Sequence, residues 1–395
     1  MSSQDSRRRA SAVNDMRIAM FTDTYTPQIN GVVTSILAFK SELKRQGHDV
    51  HVWAPAVKNV SSDESVHRIR SFSFAPYPEY KISVPNPRLL HEFERFMPDI
   101  VHVHTPISVG AAGIGLARYF GLPTLGTFHT LLPEYLHYIV RHSLQKIFLA
   151  PARRFAWGYC RWFYNMCDAV IAPSYATASL LKEKGISKPI AVVPTGIPIR
   201  RRRVGAASFR STYGLSGPLL LHVGRVTKEK NIEAIMDAIR ELPYVTLAVA
   251  SDGPHRAELQ KYAKRQGIAE RVRFLGYLSR DELDAAYAAS DLFVCASQSE
   301  TQGIVLLEAA VAGLPIAALD TPVVSDFVRE NRAGIITAKE SFARAIEMAL
   351  GDKRLRSRAK KRARFIAEKY SIERCAKALA NLYERCIDEA NGKKA

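Results

Sequence analysis

Two carboxylates, Glu300 and Glu308, stand in the stretch SETQGIVLLEA (299–309). Glu300 lies in a polar run with Gly303 just behind it. Glu308 falls inside IVLLEAAVAG, an apolar stretch that reads as a buried helix. If the whole span were helical, the two acids would sit about 12 Å apart along the axis and about 80° apart around it. That separation suits one extended polar ligand held at both ends better than two acids sharing a single bond-breaking event. Three further residue groups carry potential chemistry: Gly31 in TDTYTPQING, His129 in TFHT, and the cations Arg225 and Lys230 in GRVTKEKN.

The elements that must position these residues are apolar runs alternating with helical stretches. RIAMF, HDVHVWAP, DIVHVHTP, PTLGTFHT, DAVIAPS and IAVVPTG form one series. LLLHVGRV, VTLAVASDGP, VRFLGYL, DLFVCAS and PIAAL restart the pattern from Pro218. Such alternation implies parallel βαβ units. Residues 195–217, TGIPIRRRRVGAASFRSTYGLSG, read as an interdomain connection. The expected organisation is a loose tail (1–15), a first α/β domain (16–195), a second (196–370), and a closing helix (371–395) packed back on the first. Both domains are expected to be doubly wound and to face a cleft. In such sheets ligands bind outside the carboxyl ends of strands. Gly31, His129, Arg225 and Glu300 all follow strand runs, so four strand ends bring polar groups toward one place.

The bulk numbers fit this plan. A chain of 395 residues, 47% hydrophobic and 24% charged, is globular and suits two domains. Five cysteines without a CxxC pair point to reduced thiols in a cytoplasmic protein. The polar start carries no secretory signal, and Met16 is an alternative start. The long uncharged stretch Ile100 to Ala117 contains His102, His104, Pro106 and three glycines, and reads as strand, loop and helix rather than a membrane span. The net charge of +18 calls for an anionic partner: nucleic acid, a lipid surface or a phosphorylated substrate. No RNA-recognition signature, helix-turn-helix or zinc finger is present, which argues against nucleic acid.

Taken together, FTDTYTPQINGVVTSI (21–36), GTFHT (126–130), VGRVTKEKN (223–231), SDGP (251–254) and ETQGIVLLE (300–308) resemble the retaining GT-B glycosyltransferases of family 4. The resemblance runs from Met16 to about Tyr370. Its amino-terminal end looks most like the members that glycosylate diacylglycerol, although soluble-acceptor and mannose-transferring members share it. The resemblance implies two Rossmann-like domains, a nucleotide-sugar donor (UDP-glucose is expected), no cofactor and no metal. It sets the donor diphosphate against Arg225 and Lys230. A guanidinium grips two phosphate oxygens at once and an ammonium adds a compact charge. It also sets the ribose on Glu308, the donor hexose on Glu300, and the helix-start amides of Gly303 and Ile304 against the phosphates. Gly31 would admit close approach of backbone to the β-phosphate. His129 matches the family's cleft histidine, a neutral imidazole that donates to a sugar hydroxyl or settles charge at the anomeric carbon. His102 and His104 read as structural, with His104 the weaker cleft candidate. In the implied mechanism the leaving diphosphate oxygen takes the acceptor's proton on the face where the new bond forms; attack by Glu300 is the weaker alternative. Two departures from the family pattern stand out. Ser251 replaces the commoner glycine of GDGP, a minor change to a tight turn, and Pro198 replaces an acid.

Residues 138–168 hold Arg141, Lys146, Arg153, Arg154 and Arg161, interleaved with Phe155, Trp157, Trp162 and Phe163. This suits a helix pair, broken at Pro151, lying on an anionic bilayer. It equally suits a helix that packs its aromatics into a core and leaves its arginines solvated. Arg200–Arg203 add surface charge or form a solvated hinge. The leading expectation is a cytoplasmic enzyme, peripheral on the inner face of the cell membrane, that adds a hexose to a lipid hydroxyl. A soluble acceptor and mannose transfer from GDP-mannose are the rival readings. A sugar-nucleotide 2-epimerase is the rival of different class, disfavoured by ETQGIVLLE and TFHT. A non-catalytic basic module would leave these motifs without purpose.

Overall fold

Alternation within the apolar runs decides the layers of both sheets. On neighbouring strands of the second half, Leu219, Leu221, Phe293 and Cys295 join one core while Leu220, Leu292 and Val294 join the core on the other face. A parallel sheet covered on both sides needs apolar residues at every strand position, which is why these runs are continuous rather than alternating with polar residues. The computed structural model describes residues 15–57, 63–74, 77–84, 86–131, 145–198 and 205–392. They form two units. The first takes in residues up to Pro173, Ala178–Gly196 and the stretch from Ile372; the second takes Ser174–Thr177 and Ile197–Ser371.

The first unit is built on strands β1 (Arg17–Phe21), β2 (Asp49–Pro55), β3 (Val66–Ile69), β6 (Ile100–Val103), β7 (Thr124–Thr127), β8 (Ala169–Ala172) and β9 (Ile190–Val192). They pair in parallel in the order β3-β2-β1-β6-β7-β8-β9. An antiparallel hairpin, β4 (Ser71–Phe74) with β5 (Tyr77–Ser83), is a short addition that the sequence reading did not anticipate. The helices are α1 (Gly31–Arg45), α2 (Pro87–Phe96), α3 (Ser108–Phe120), α4 (Gln145–Tyr164) and α5 (Tyr175–Glu183). Asn30 and Asn86 cap α1 and α2 by accepting from Val33 N and Leu89 N.

The second unit begins with α6 (Ala206–Thr212). The connection read over 195–217 is therefore partly a packed helix, because Phe209 and Leu215 are apolar enough to join the core. Its sheet comprises β10 (Leu219–Val223), β11 (Thr246–Ala250), β12 (Val272–Gly276), β13 (Leu292–Cys295), β14 (Ile316–Leu319) and β15 (Gly334–Thr337), ordered β12-β11-β10-β13-β14-β15. Helices α7 (Ile232–Arg240), α8 (Arg256–Arg265), α9 (Arg280–Ala289), α10 (Ile304–Val311), α11 (Pro322–Asn331), α12 (Phe342–Gly351) and α13 (Lys353–Lys369) cover it. The closing helix α14 (Ile372–Gly392) belongs to the first unit, where Ile372, Cys375, Leu379 and Tyr383 join the core beside α1. Both sheets run outward from a central strand in two directions. This doubly wound order has its switch point between β1 and β6 in one unit and between β10 and β13 in the other.

Candidate functional site

At the second unit's switch point, the loops after β10 and β13 each deliver a charged group. Behind β10, Arg225 is half-buried and a single 3-10 turn, Lys228–Lys230, brings Lys230 round. Behind β13, the irregular segment ending at Gly303 delivers Glu300. The two loops are stitched by Gln298 N donating to Glu229 O at 2.9 Å. Lys230 Nζ donates to Glu300 Oε1 at 2.5 Å, with only 17% and 13% of the two side chains exposed. Burial alone would raise the Glu300 pKa, but the Lys230 ammonium overrides it and holds the carboxyl below its ordinary range. His222 on β10 backs the pair. Its Nδ1 lies 3.1 Å from Val294 O, and burial pushes its pKa down to about 4, so it is neutral at pH 7.

Glu300 and Glu308 do not share one helix. Gly303 adopts φ 74°, a conformation that favours glycine, and α10 starts only at Ile304. The conditional spacing of a wholly helical span therefore does not apply. Glu308 is 6% exposed and belongs to a second cluster. Arg280 Nη1 donates to its Oε1 at 2.5 Å, and Tyr287 OH donates to its Oε2 at 2.9 Å. Both donors come from α9, one at its first position and one two turns later, on the same face. Neither was identified from sequence. Their spacing is visible in SRDELDAAY, but nothing local ties it to Glu308. Ser251 also needs a correction. Its φ is 105°, within the region that favours glycine, so its replacement of glycine is not a minor change. The residue is held there by Ser251 N donating to Gly276 O at 2.7 Å.

In the first unit the ends of β6 and β7 gather three histidines. His129, after β7, has its Nε2 3.0 Å from His104 Nδ1. His102 is satisfied on both sides, by Tyr383 OH and Thr127 Oγ1, each at 2.6 Å, as its structural reading requires. His104 is 1% exposed and lies against His102, ring centres 4.0 Å apart and planes tilted by 35°. Burial pushes His102 and His129 down to about 3 and His104 well below its ordinary value, so all three are neutral at pH 7. A cavity of about 10 Å³, the size of about one water, borders the three rings together with Ser35 and Thr195. His104 is thus a direct neighbour of His129 rather than a separate core residue. Asp23, buried after β1, also escaped the sequence reading. It accepts from Thr105 Oγ1, Ser108 Oγ and Val109 N at 2.7–2.8 Å and ties the loop after β1 to the start of α3. Gly31 opens α1, and a Cβ there would meet no atom within 4 Å.

Helix α4 runs unbroken through Pro151, so the expected helix pair is one helix. Its later turns are pinned by buried Ala156, Cys160, Phe163 and Tyr164, and the proline removes only one backbone donor. The aromatics divide. Phe163 is buried and Trp157 stacks on Phe128, whereas Phe155 and Trp162 are 78% and 57% exposed beside exposed Arg153, Arg154 and Arg161. Arg141, the Lys146 side chain and Arg200–Arg203 lie outside the described residues. Among the described residues no helix is long and apolar enough to cross a membrane.

Comparison with known proteins gives the following. Residues 29–201 match the family described as Glycosyltransferase Family 4, and residues 208–366 match Glycosyl transferases group 1. The alpha-monoglucosyldiacylglycerol synthase of Streptococcus pneumoniae is 32% identical over 81% of this chain and 75% of its own. The GDP-mannose-dependent alpha-mannosyltransferase of Mycobacterium tuberculosis is 28% identical over 83% of this chain and 85% of its own. Among solved structures, Anabaena HepE in complex with UDP and glucose aligns over 94% of this chain and all of its own, with a TM-score of 0.72 at 18% identity, a likeness of fold.

Proposed function

The chain belongs to glycosyltransferase family 4 and is a hexosyltransferase with the GT-B fold; from that premise we propose that it moves glucose from UDP-glucose to a lipid hydroxyl, such as that of diacylglycerol, with retention at the anomeric carbon. The observation that carries the donor reading is the half-buried Lys230–Glu300 pair at the β10/β13 switch point, with Glu308 held separately on α10. Arg225 and Lys230 take the diphosphate, Glu300 the hexose hydroxyls and Glu308 the ribose. The amides of Gly303 and Ile304 face the phosphates at the start of α10, and Gly31 lets backbone approach the β-phosphate. In the first unit, His129 is assigned to the transferred sugar, which it serves as a neutral donor.

The bond from the anomeric carbon to the diphosphate oxygen breaks as the acceptor oxygen bonds on the same face. The departing diphosphate oxygen takes the acceptor's proton, so no enzyme nucleophile is needed. Arg225 and Lys230 stabilise the charge that collects on the leaving group, and the step requires no metal. The lipid acceptor is supported by the 32% identity to a synthase named for a glucosyl lipid, and by the exposed aromatics and arginines of α4. On this reading the enzyme works as a peripheral protein on the inner face of the cell membrane. The mannosyltransferase likeness favours a second reading, mannose transfer from GDP-mannose.

Incubating the purified protein with UDP-glucose or GDP-mannose, with and without diacylglycerol in anionic vesicles, separates these readings. A glucosylated lipid formed only from UDP-glucose is expected. Transfer to lipid from GDP-mannose alone would establish the second reading, and hexose transfer only in lipid-free mixtures would remove the lipid acceptor.

A further inference from the structure

We infer that Arg280 and Tyr287 are positioning residues that orient Glu308 for a ribose cis-diol, and that this carboxylate clamp makes the enzyme discriminate ribonucleotides from 2′-deoxyribonucleotides. The inference rests on the assignment of Glu308 to the ribose and deepens it. Glu308 sits on a helix whose neighbouring positions Leu306, Leu307, Ala309 and Ala310 are all buried. A carboxylate in such surroundings keeps one orientation only where charge and hydrogen bonds compensate its lost hydration. Arg280 supplies both at Oε1 and Tyr287 supplies a hydrogen bond at Oε2, so one donor on each oxygen sets the plane of the group.

The placement of Arg280 is itself informative. It occupies the first turn of α9, directly after Ser279, which forms a capping box with Glu282. A cation there opposes the helix dipole, which favours acids at that end. Position by position, Asp281 and Glu282 obey that preference and Arg280 breaks it. The exception is explained by what the guanidinium reaches: Glu308 Oε1 at 2.5 Å and, with its other terminal nitrogen, Asp284 Oδ1 at 3.4 Å. Asp284 and Tyr287 lie one and two turns further along α9, so a single helix face presents the cation, its second anchor and the hydroxyl. Burial works against the Arg280 cation, yet Glu308 and Asp284 together hold its pKa above the ordinary value.

The test measures Kd by calorimetry for UDP and 2′-deoxy-UDP, and for GDP and 2′-deoxy-GDP, with wild type, Arg280→Ala, Arg280→Lys, Tyr287→Phe and Glu308→Gln. Wild type should prefer the ribonucleotide by at least about tenfold, the value of one good charge-assisted hydrogen bond. Arg280→Ala should bring that ratio close to one while leaving the affinity for the deoxy form within about twofold. Tyr287→Phe should reduce the ratio partly. Arg280→Lys should restore some of it, because an ammonium returns the charge without the fixed fork of the guanidinium. A purely structural role would weaken both nucleotides together and keep the ratio, which would overturn the inference. If Glu308→Gln abolishes discrimination but Arg280→Ala does not, the clamp is wrong and the ribose assignment stands. If wild type shows no discrimination at all, the ribose assignment falls and the clamp falls with it.

Discussion

On the proposed reading single residues carry the donor chemistry, and their loss should be read in affinity before rate. Glu308→Ala and Arg225→Ala should each weaken nucleoside-diphosphate binding by about 1.5–3 kcal/mol, the range for losing a hydrogen bond to a charged group. Calorimetry on folded variants measures this, and unchanged affinity in either would remove that residue from the donor site. Ser251 makes a different prediction. Its φ of 105° costs of order 1–3 kcal/mol, part of which glycine's greater unfolded-state entropy would take back. Ser251→Gly should therefore raise the unfolding free energy by about 1 kcal/mol in urea titration. A destabilised Ser251→Gly protein would mean that the serine side chain stabilises the turn by more than its backbone strain costs. Glu300 and Glu308 were legible from sequence because acids beside an apolar run are conspicuous. Arg280, Tyr287 and Asp23 were not, because their partners are set by helix packing and loop closure rather than by neighbours in the chain.

Among elements, the strand runs were readable because strands buried on both faces leave unbroken apolar stretches, as in RIAMF and DLFVCAS. The hairpin β4–β5, with sequence SFSF on its first strand, lacks that signal, and the polar residues around Phe209 hid α6. Pro151 reads as a break in α4 because a proline's local cost is plain in sequence, whereas the core contacts that outweigh it are not. The ends of β6 and β7 yield a pH prediction. His102, His104 and His129 have folded pKa values depressed by burial, about 3 for the first and last, against about 6.5 unfolded. Below pH 6.5 the unfolded chain takes up protons that these residues in the folded protein refuse, so their contribution is complete above that pH and is lost as the pH falls toward 3. Each neutral histidine steepens the loss by up to about 1.4 kcal/mol per pH unit. Urea midpoints should fall progressively between pH 6.5 and 4, and His102→Gln should flatten the slope. An unchanged midpoint across that window would mean that the three rings can be protonated in the folded protein.

For the whole molecule, the charge of +18 is unevenly spread. Helix α13, KRLRSRAKKRARFIAEK, holds nine basic residues and a single acid. Charge is thus densest on α13, which has one exposed aromatic, Phe365, whereas α4 sets fewer cations beside Phe155 and Trp162, and this difference separates two accounts of membrane binding. If α4 docks through Phe155 and Trp162 with its arginines, then Arg153→Glu with Arg154→Glu should release the protein from anionic vesicles. The charge-matched Arg354→Glu with Arg358→Glu on α13 should do so less. Both effects should weaken with salt, since exposed charges are screened beyond about 8 Å at physiological ionic strength, whereas the aromatic contribution should persist. Equal release by the two double variants in flotation assays would show that net charge alone drives binding. The central claim, metal-free hexosyl transfer with retention onto a lipid, is met most directly by one measurement: the anomeric configuration, by NMR, of the product formed from UDP-glucose and diacylglycerol in excess EDTA. An α-linked glucosyl lipid made at an undiminished rate is the predicted result. A β-linked product, or turnover that stops with EDTA and returns only with a divalent ion, would contradict the account.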